Sequence, residues 1–195
     1  MFSHFKNVLH LLLLTLLATL IGCNSKNIIL EAKSSFAPSG IDFSGLWQFK
    51  DDQVFSQLFL NKNSSEEFKA NESKNLSRRQ NSLANSSIRL FLETGKSLKI
   101  TQTEFSLFIS YDRSIVEEYS FGENRLVSVG PIQARRVAGW KDNYFLVETL
   151  DESGTLLSEN WHLQNDGMNL IRDIQITIGQ TEIYRNRQFF EITKN

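Results

Sequence analysis

This sequence contains very little cysteine, histidine or proline. Its 195 residues include one cysteine, three histidines and two prolines. A single cysteine, Cys23, cannot form an intramolecular disulfide or supply a set of thiolate ligands for zinc. Two of the histidines, His4 and His10, lie in an apolar N-terminal stretch, which leaves His162 alone in the rest of the chain. We therefore predict no metal, no cofactor and no Ser-His-Asp type of catalytic set.

The sequence also lacks an excess of charge of either sign. It has 21 basic and 22 acidic residues, a net charge of -1, and no basic stripe, so we predict no nucleic-acid partner. No G-x-S-x-G, P-loop or G-x-G-x-x-G motif is present. This scarcity of catalytic and nucleotide-binding residues favours a binding function over catalysis.

No apolar run in the sequence is long enough to cross a membrane as a helix. The longest one, residues 8–21, falls short of the roughly 20 residues that a bilayer requires. It follows Lys6 and ends at the small residue Gly22, a pattern that is typical of a secretory signal. The alternative is an uncleaved N-terminal anchor helix.

The four residues Leu20-Ile21-Gly22-Cys23 resemble the lipobox of bacterial lipoproteins. The resemblance implies that residues 1–22 are a signal peptide, that cleavage precedes Cys23, and that the Cys23 thiol and the new amino terminus carry acyl chains. Several acyl chains would hold the protein stably on a membrane. Residue 24 is Asn rather than Asp, which in this family implies the outer membrane, with the domain facing the periplasm.

The rest of the chain divides into three parts by composition. Residues 23–43 are expected to be a lipidated tether, which ends at the turn residues 38–40, and residues 44–195 to be a single domain. Within that domain, residues 51–87 are rich in Ser and Asn and contain no Gly or Pro. We expect this polar insertion to be either a lid or a solvated loop.

Residues 88–190 alternate between apolar and polar side chains in short runs bounded by turn residues. This pattern predicts an all-β antiparallel meander, because no helical run of ordinary length interrupts it. After a first strand at 44–49, we predict strands at 88–93, 97–102, 105–111, 115–121, 125–129, 132–140, 143–150, 155–163, 168–178 and 181–190.

Strand alternation places one set of side chains on the inner face of this meander. The predicted turns set Ile100 and Tyr119 opposite Leu107, and Trp161 opposite Phe145. The same face receives the charged residues Glu117, Arg125, Arg136, Glu159 and Arg172.

An unpaired charge in a dry core costs several kcal/mol, about 3 or more, so these groups must form ion pairs or meet a ligand. One interpretation is structural ion pairing, above all between Glu159 and Arg172. A second is a polar floor where the arginines meet an anionic head group. A third is a catalytic carboxyl at Glu117 or Glu159. The candidate ligand-binding residues are Arg125, Arg136, Glu159, Trp161 and Arg172.

The sequence Gly45-Leu46-Trp47 at the start of the first strand, followed by a long loop and a meander, resembles lipocalins and related calycins. The resemblance implies a lipocalin-like β-barrel with a long first loop that covers its mouth. It further implies that Trp47 closes the bottom of the barrel and that Arg185 or Arg187 packs across it.

These expectations lead to one leading function and two alternatives. The first is a barrel that binds a small apolar or amphipathic ligand, such as a lipid or fatty acid. The second is an interaction or structural module with a filled core that docks an envelope protein. The third is a barrel enzyme that uses an inward Glu.

Overall fold

The structure is a computed structural model that describes residues 28–50, 86–164 and 167–193. The signal peptide, Cys23 and most of the predicted insertion at 51–87 lie outside these residues. The described chain forms one 3-10 helix, Ser87–Phe91, and strands β1 Gly45–Lys50, β2 Ser97–Gln102, β3 Ser106–Tyr111, β4 Ile115–Ser120, β5 Glu123–Val129, β6 Ile132–Lys141, β7 Tyr144–Asp151, β8 Thr155–Gln164, β9 Asn169–Ile178 and β10 Thr181–Ile192.

The ten strands form one antiparallel sheet that curls into a nearly closed barrel. Their order is β4-β3-β2-β1-β10-β9-β8-β7-β6-β5. Consecutive strands are therefore paired except β4 with β5, and β1 pairs with β10 in addition to β2. The β1–β10 pairing joins the two ends of the meander. The remaining break lies between β4 and β5, the two edges of the sheet. The predicted all-β antiparallel meander that closes into a barrel is confirmed.

The strand predicted at 88–93 is wrong, because residues 87–91 form the 3-10 helix instead. Side chains three residues apart lie on one face of such a helix, and Ile88 and Phe91 are both buried there while Leu90 is exposed. A strand would have placed Ile88 and Leu90 on the same face. The spacing of the apolar residues was therefore helical over this short run.

Several predicted cross-strand neighbours are confirmed and others are shifted by two residues. Leu107 pairs with Tyr119 and Phe145 pairs with Trp161, as predicted. Ile100, however, pairs with Ile109 rather than Leu107. A shift of two keeps every side chain on its predicted face, because side-chain direction alternates with a period of two.

The β2–β3 turn explains this shift. The Thr103 N–H donates to the Ser106 carbonyl at 2.9 Å, so the turn residues between this bonded pair are Glu104 and Phe105, one position later than the turn expected from sequence. Phe105 lies in this loop and is exposed, although alternation with Leu107 predicts the inner face for it.

Two apolar clusters fill the two ends of the barrel. The larger one contains Trp47 and lies where the β2–β3, β4–β5 and β6–β7 turns meet; its buried members include Phe43, Trp47, Leu98, Leu107, Tyr111, Tyr119, Phe121, Trp140, Phe145, Trp161, Leu170 and Phe190. The smaller one lies at the opposite end beneath the 3-10 helix and contains Ile88, Phe91, Ala134, Leu157, Ile174 and Ile176.

The segment that precedes β1, residues 28–43, packs against the barrel, although we expected it to be part of a tether. We call it the strap, and we call the barrel end that it crosses the strap end. Ser34 and Trp140 exchange two backbone hydrogen bonds, at 2.9 and 3.0 Å. Lys33 forms an ion pair with Glu148 at 2.8 Å. The strap thus adds a short extended piece to β6, next to Trp140, just beyond the first residue of β5.

Candidate functional site

A layer of polar side chains crosses the barrel interior between the two apolar clusters. Arg136, Thr149, Glu159 and Arg172 come from consecutive strands β6–β9, point inward and are all buried. Each is flanked on its own strand by buried inward residues, as Arg172 is by Leu170 and Ile174. Together with Glu93 and Glu117, these four side chains form what we call the polar belt.

The ion pair between Arg172 and Glu159 is the most deeply buried part of the belt. Both side chains are only 1% exposed. Arg172 donates to Glu159 Oε2 from Nε at 2.9 Å and from Nη2 at 2.5 Å. Its Nη1 donates to the Glu93 carbonyl at 2.8 Å and to Gln188 Oε1 at 3.1 Å. Four of the five N–H groups of the guanidinium are therefore bound by groups of the protein itself.

Two aromatic rings cover the Arg172 guanidinium. Its Cζ atom lies 4.6 Å from the centroid of the Trp161 ring and 5.6 Å from that of Tyr111. Such contacts favour a cation over a ring face. Burial alone lowers the pKa of Arg172, but the Glu159 carboxylate more than compensates and raises it above the ordinary value. Arg172 therefore carries its charge inside the barrel.

The second ion pair of the belt, between Arg136 and Glu117, reaches the surface. Arg136 Nη1 donates to Glu117 Oε2 at 3.0 Å, and Nε donates to Thr149 Oγ1 at 3.2 Å. Arg136 is 4% exposed, whereas Glu117 is 26% exposed. The Arg136 guanidinium lies 5.3 Å from the centroid of the Tyr119 ring. A ligand entering from solvent would thus meet Glu117 first and Arg136 behind it.

Glu93, which follows the 3-10 helix, is the third carboxylate of the belt. Burial raises the pKa of Glu93, and the Glu117 carboxylate raises it further, against the opposing effect of Arg172 and Arg136. Within the described part of the chain the Glu93 carboxylate forms no ion pair. The belt therefore contains three carboxylates and only two guanidinium groups, so it has no surplus positive charge.

Two buried donors beside the belt have no hydrogen-bond partner among the described residues. They are the indole N–H of Trp161 and the hydroxyl of Tyr111, whose rings both contact Arg172. Burial raises the pKa of the Tyr111 and Tyr119 phenols, so both are neutral at physiological pH. The Tyr111 hydroxyl can therefore hydrogen-bond to an uncharged group.

The structure brings together four of the five predicted ligand-binding residues. Arg136, Glu159, Trp161 and Arg172 lie in or against the belt. Arg125 lies apart from them, half-exposed at the β4–β5 break. Alternation placed it correctly on the inner side of β5, but at a sheet edge that side is open to solvent.

Arg125 instead connects the two edge strands. Its Nη2 donates to the Glu118 carbonyl of β4 at 3.1 Å, and its Nε donates to Glu123 Oε2 at 3.0 Å. The same Glu123 oxygen accepts the backbone N–H of Ser120 at 3.1 Å. Burial raises the pKa of Glu123. We call these side-chain bonds the seam.

The predicted barrel-closing residues have different locations. Trp47 is buried in the larger apolar cluster at the strap end, where its indole N–H donates to the Phe43 carbonyl at 3.0 Å. Neither Arg185 nor Arg187 packs across it, which corrects that expectation. Both side chains point outward, Arg185 to Glu182 and Arg187 to Asp173, because inward positions of β10 fall on the even-numbered residues 188, 190 and 192.

Sequence reasoning missed Thr149, Tyr111 and Glu93 as members or neighbours of the site. Tyr111 follows Ile109 by two residues, so alternation would have placed it inside. Thr149 follows the inward residue Val147 in the same way. Glu93 carried no such signal, because its position depends on the 3-10 helix that precedes it.

The geometry leaves little basis for acid–base catalysis by Glu117 or Glu159. Each carboxylate is bound by an arginine, Glu117 by Arg136 and Glu159 by Arg172. Among the residues that the structure describes, no three His, Cys, Asp or Glu side chains are grouped so as to hold a metal ion. The same residues include no helix that is long and apolar enough to cross a membrane.

Comparisons with known proteins show similarity at the level of barrel structures only. No protein-family model and no curated protein matches the sequence. Solved structures do match. The apo form of lipid binding protein 8 from Caenorhabditis elegans is 11% identical, with 77% of this chain and 95% of that chain covered and a TM-score of 0.46.

Two further structures illustrate the range of the matches. Fatty-acid-binding protein 1 from Echinococcus granulosus is 8% identical, with 78% and 98% of the chains covered and a TM-score of 0.43. A luciferase domain from the dinoflagellate Lingulodinium polyedrum is 12% identical, with 83% and 45% covered and a TM-score of 0.49. At such identities and TM-scores, these matches carry no information about what this chain binds.

Proposed function

We propose that this chain is an outer-membrane lipoprotein, anchored through Cys23, whose barrel faces the periplasm and binds a small apolar or amphipathic ligand such as a lipid or fatty acid. The observation that supports ligand binding is the polar belt. Charged groups inside an apolar barrel are costly, and this layer reaches solvent at one place, through Glu117 and Glu93. The anchor is supported by the lipobox-like residues 20–23.

The two arginines of the belt differ in how readily they can receive a ligand. Arg172 makes four hydrogen bonds to groups of the protein and lies behind Trp161. Arg136 needs to break only its hydrogen bond to the partly exposed Glu117 in order to bind a new acceptor. We therefore place the polar group of the ligand at Arg136.

Binding is tested with the mature chain by native mass spectrometry and by displacement of a fluorescent fatty acid. We expect a lipid to co-purify and the probe to be displaced by it. Glu117→Gln removes the carboxylate that competes for Arg136. It should tighten fatty-acid binding by about tenfold, the effect of one charge-assisted hydrogen bond.

Arg136→Met should weaken that binding, and Arg125→Ala is the matched control, because Arg125 lies at the seam outside the belt. If no lipid co-purifies and no probe binds, the ligand-binding proposal is incorrect. The anchor has a separate test. Cys23→Ser should leave the precursor without lipid and uncleaved, and normal processing of that variant would refute it.

A second candidate function is an envelope interaction module with a filled core. It is favoured by the interior around Arg172, where Glu159, Trp161, Tyr111 and Tyr119 are each at most 1% exposed and so leave no water-sized space beside them. This candidate predicts an envelope partner in a cross-linking pull-down. Recovery of nothing but the protein itself would count against it.

A further inference from the structure

The two most exposed phenylalanine rings of the described chain lie at the strap end. Phe36 is 78% exposed and Phe105 is 64% exposed. Phe36 follows Ser35, which packs closely against Gly122 in the β4–β5 turn. On the other side of that turn, the Phe105 carbonyl accepts the backbone N–H of Phe121 at 2.8 Å. Both rings therefore flank one turn and project from the same end of the barrel.

Both rings lie beside the apolar core and are nevertheless held outside it. The strap and the β2–β3 loop are held by specific contacts of their neighbours, namely Ser34 with Trp140 and Thr103 with Ser106. The larger apolar cluster lies directly behind them and already buries Phe43 and Phe121. Two large apolar rings exposed at one end of the barrel make this end the candidate for an interaction surface.

The position of Cys23 determines which surface lies within reach. Lys33 is fixed to the barrel by its ion pair with Glu148, and it follows Cys23 by ten residues. A fully extended chain spans at most about 3.6 Å per residue, so acyl chains on Cys23 would hold Lys33 within about 36 Å of the bilayer. Ile29, 82% exposed, lies within this short connection.

From these observations we propose that the strap end docks on the membrane surface, with Phe36 and Phe105 inserted at the level of the lipid head groups. This inference rests on the proposed lipid anchor at Cys23. The polar belt takes no part in it. The 3-10 helix and the accessible end of the belt then face away from the membrane, toward the periplasm.

The charge of the strap end determines the kind of lipid surface that fits. Among the residues that the structure describes there, the exposed charged side chains are mostly acidic: Glu31, Asp42, Glu104 and Asp142, against Lys141. An acidic surface gains nothing from anionic lipids, so contact depends on the aromatic rings. The surface that fits is zwitterionic phospholipid, and raising the salt concentration should not release the rings from it.

The experiment places a tryptophan at each position in turn in the full, lipidated chain. The three native tryptophans are at most 2% exposed and provide a constant background. Phe36→Trp and Phe105→Trp add reporters at the strap end. Leu90→Trp adds one at the opposite end, on the 3-10 helix, where the side chain is 50% exposed, and is the matched control. Each variant is reconstituted in zwitterionic phosphatidylcholine vesicles with and without brominated acyl chains.

We expect the added emission of Trp at 36 and 105 to shift to shorter wavelength and to be largely quenched by brominated lipid. Emission from the control at 90 should remain unquenched. Equal quenching at 36 and 90, or none at 36, overturns the proposal. A blue shift without vesicles that grows with protein concentration also overturns it, because a second copy of the chain would then cover the rings.

Mass spectrometry of the same samples separates this proposal from the one on which it rests. A chain that carries acyl groups on Cys23 but shows no quenching at 36 refutes the docking surface and leaves the anchor intact. A chain without acyl groups refutes the anchor and the docking surface together. Fatty-acid displacement, measured in parallel, reports on the barrel interior and is independent of both.

Discussion

At the scale of single residues, the two ion pairs of the polar belt differ in burial and therefore in energetic consequence. Arg172 and Glu159 are both enclosed, so removing either partner leaves an uncompensated charge where water cannot reach it. Glu117 is partly exposed, so water can still solvate its carboxylate when Arg136 is lost. The first pair therefore matters mainly for folding, and the second is available for binding.

Glu159→Gln should lower the free energy of unfolding by about 3–5 kcal/mol, because it strands the Arg172 guanidinium. Adding Arg172→Met to Glu159→Gln should recover a large part of this loss, since the stranded charge is then gone. Urea unfolding followed by tryptophan fluorescence measures both effects. Asp173→Asn is the control, because it breaks an outward ion pair with Arg187 and should cost less than about 1 kcal/mol. A double variant less stable than Glu159→Gln would contradict this account.

Glu93 should make stability depend on pH in a direction opposite to that of most carboxylates. Burial and Glu117 raise the pKa of Glu93, so the folded state holds this proton more tightly than the unfolded state does. Stability is therefore lost as pH rises from the unfolded pKa through the folded pKa, and the full penalty is present above the folded value.

Glu93→Gln should consequently stabilise the protein at pH 7 and have little effect below about pH 4, where both states are protonated. The gain should be less than about 1 kcal/mol, because the side chain is only half-buried and solvent screens it. Urea titrations at the two pH values measure it, with the exposed Glu118→Gln as control. A destabilised Glu93→Gln at pH 7 would show that the carboxylate has a stabilising partner.

At the scale of elements, the docking of the strap depends on a glycine in β6. A Cβ on Gly139 would lie 2.5 Å from the Ser34 carbonyl oxygen and 2.9 Å from the Gly122 nitrogen, both backbone atoms. Its φ of +152° is also one that other residues rarely adopt. Only glycine lets the strap approach β6 closely enough to pair with Trp140.

Gly139→Ala should displace the strap and cost about 2–3 kcal/mol, whereas Gly130→Ala should cost only about 1 kcal/mol. Gly130 is the matched control, because it also has a positive φ, +58°, but an added Cβ meets nothing within 4 Å. Unfolding measurements give the two costs, and hydrogen exchange at the Ser34 amide reports the strap directly. Unchanged protection of Ser34 in Gly139→Ala would argue against the close approach.

The sequence predicts the elements of this fold better than their exact pairing. Arg136, Glu159 and Arg172 were placed on the inner face correctly, because register errors of two residues preserve side-chain direction. The predicted ion pair of Glu159 with Arg172 forms diagonally between the strands, since Arg172 pairs with Trp161 in the sheet. Long side chains tolerate such an offset.

Other features depend on contacts that no local pattern encodes. The side-chain role of Arg125 depends on where the barrel fails to close, which is a property of the whole sheet. The strap has a tether-like composition, and its docking depends on Gly139, which lies about a hundred residues later in the chain. Glu93 reaches the belt only because a 3-10 helix precedes it.

At the scale of the whole molecule, the seam is the weakest line around the barrel. Every other pair of neighbouring strands is joined by a backbone ladder, whereas β4 and β5 are the two edges of the sheet. The Glu123 carboxylate, with Ser120 and Arg125, supplies the bonds described across this break. Opening of the seam would expose the belt from the side, next to Glu117 and Arg136.

We therefore expect backbone amides of β4 and β5 to exchange with solvent faster than those of β8, which has a neighbour on each side. Glu123→Ala should accelerate exchange in β4 and β5 and leave β8 unchanged, because it removes the shared acceptor of Ser120 and Arg125. Glu152→Ala, an exposed carboxylate in the β7–β8 turn, is the control. If Glu123→Ala accelerated β8 equally, the barrel would open as one cooperative unit, and the seam would not be a separate, weaker line.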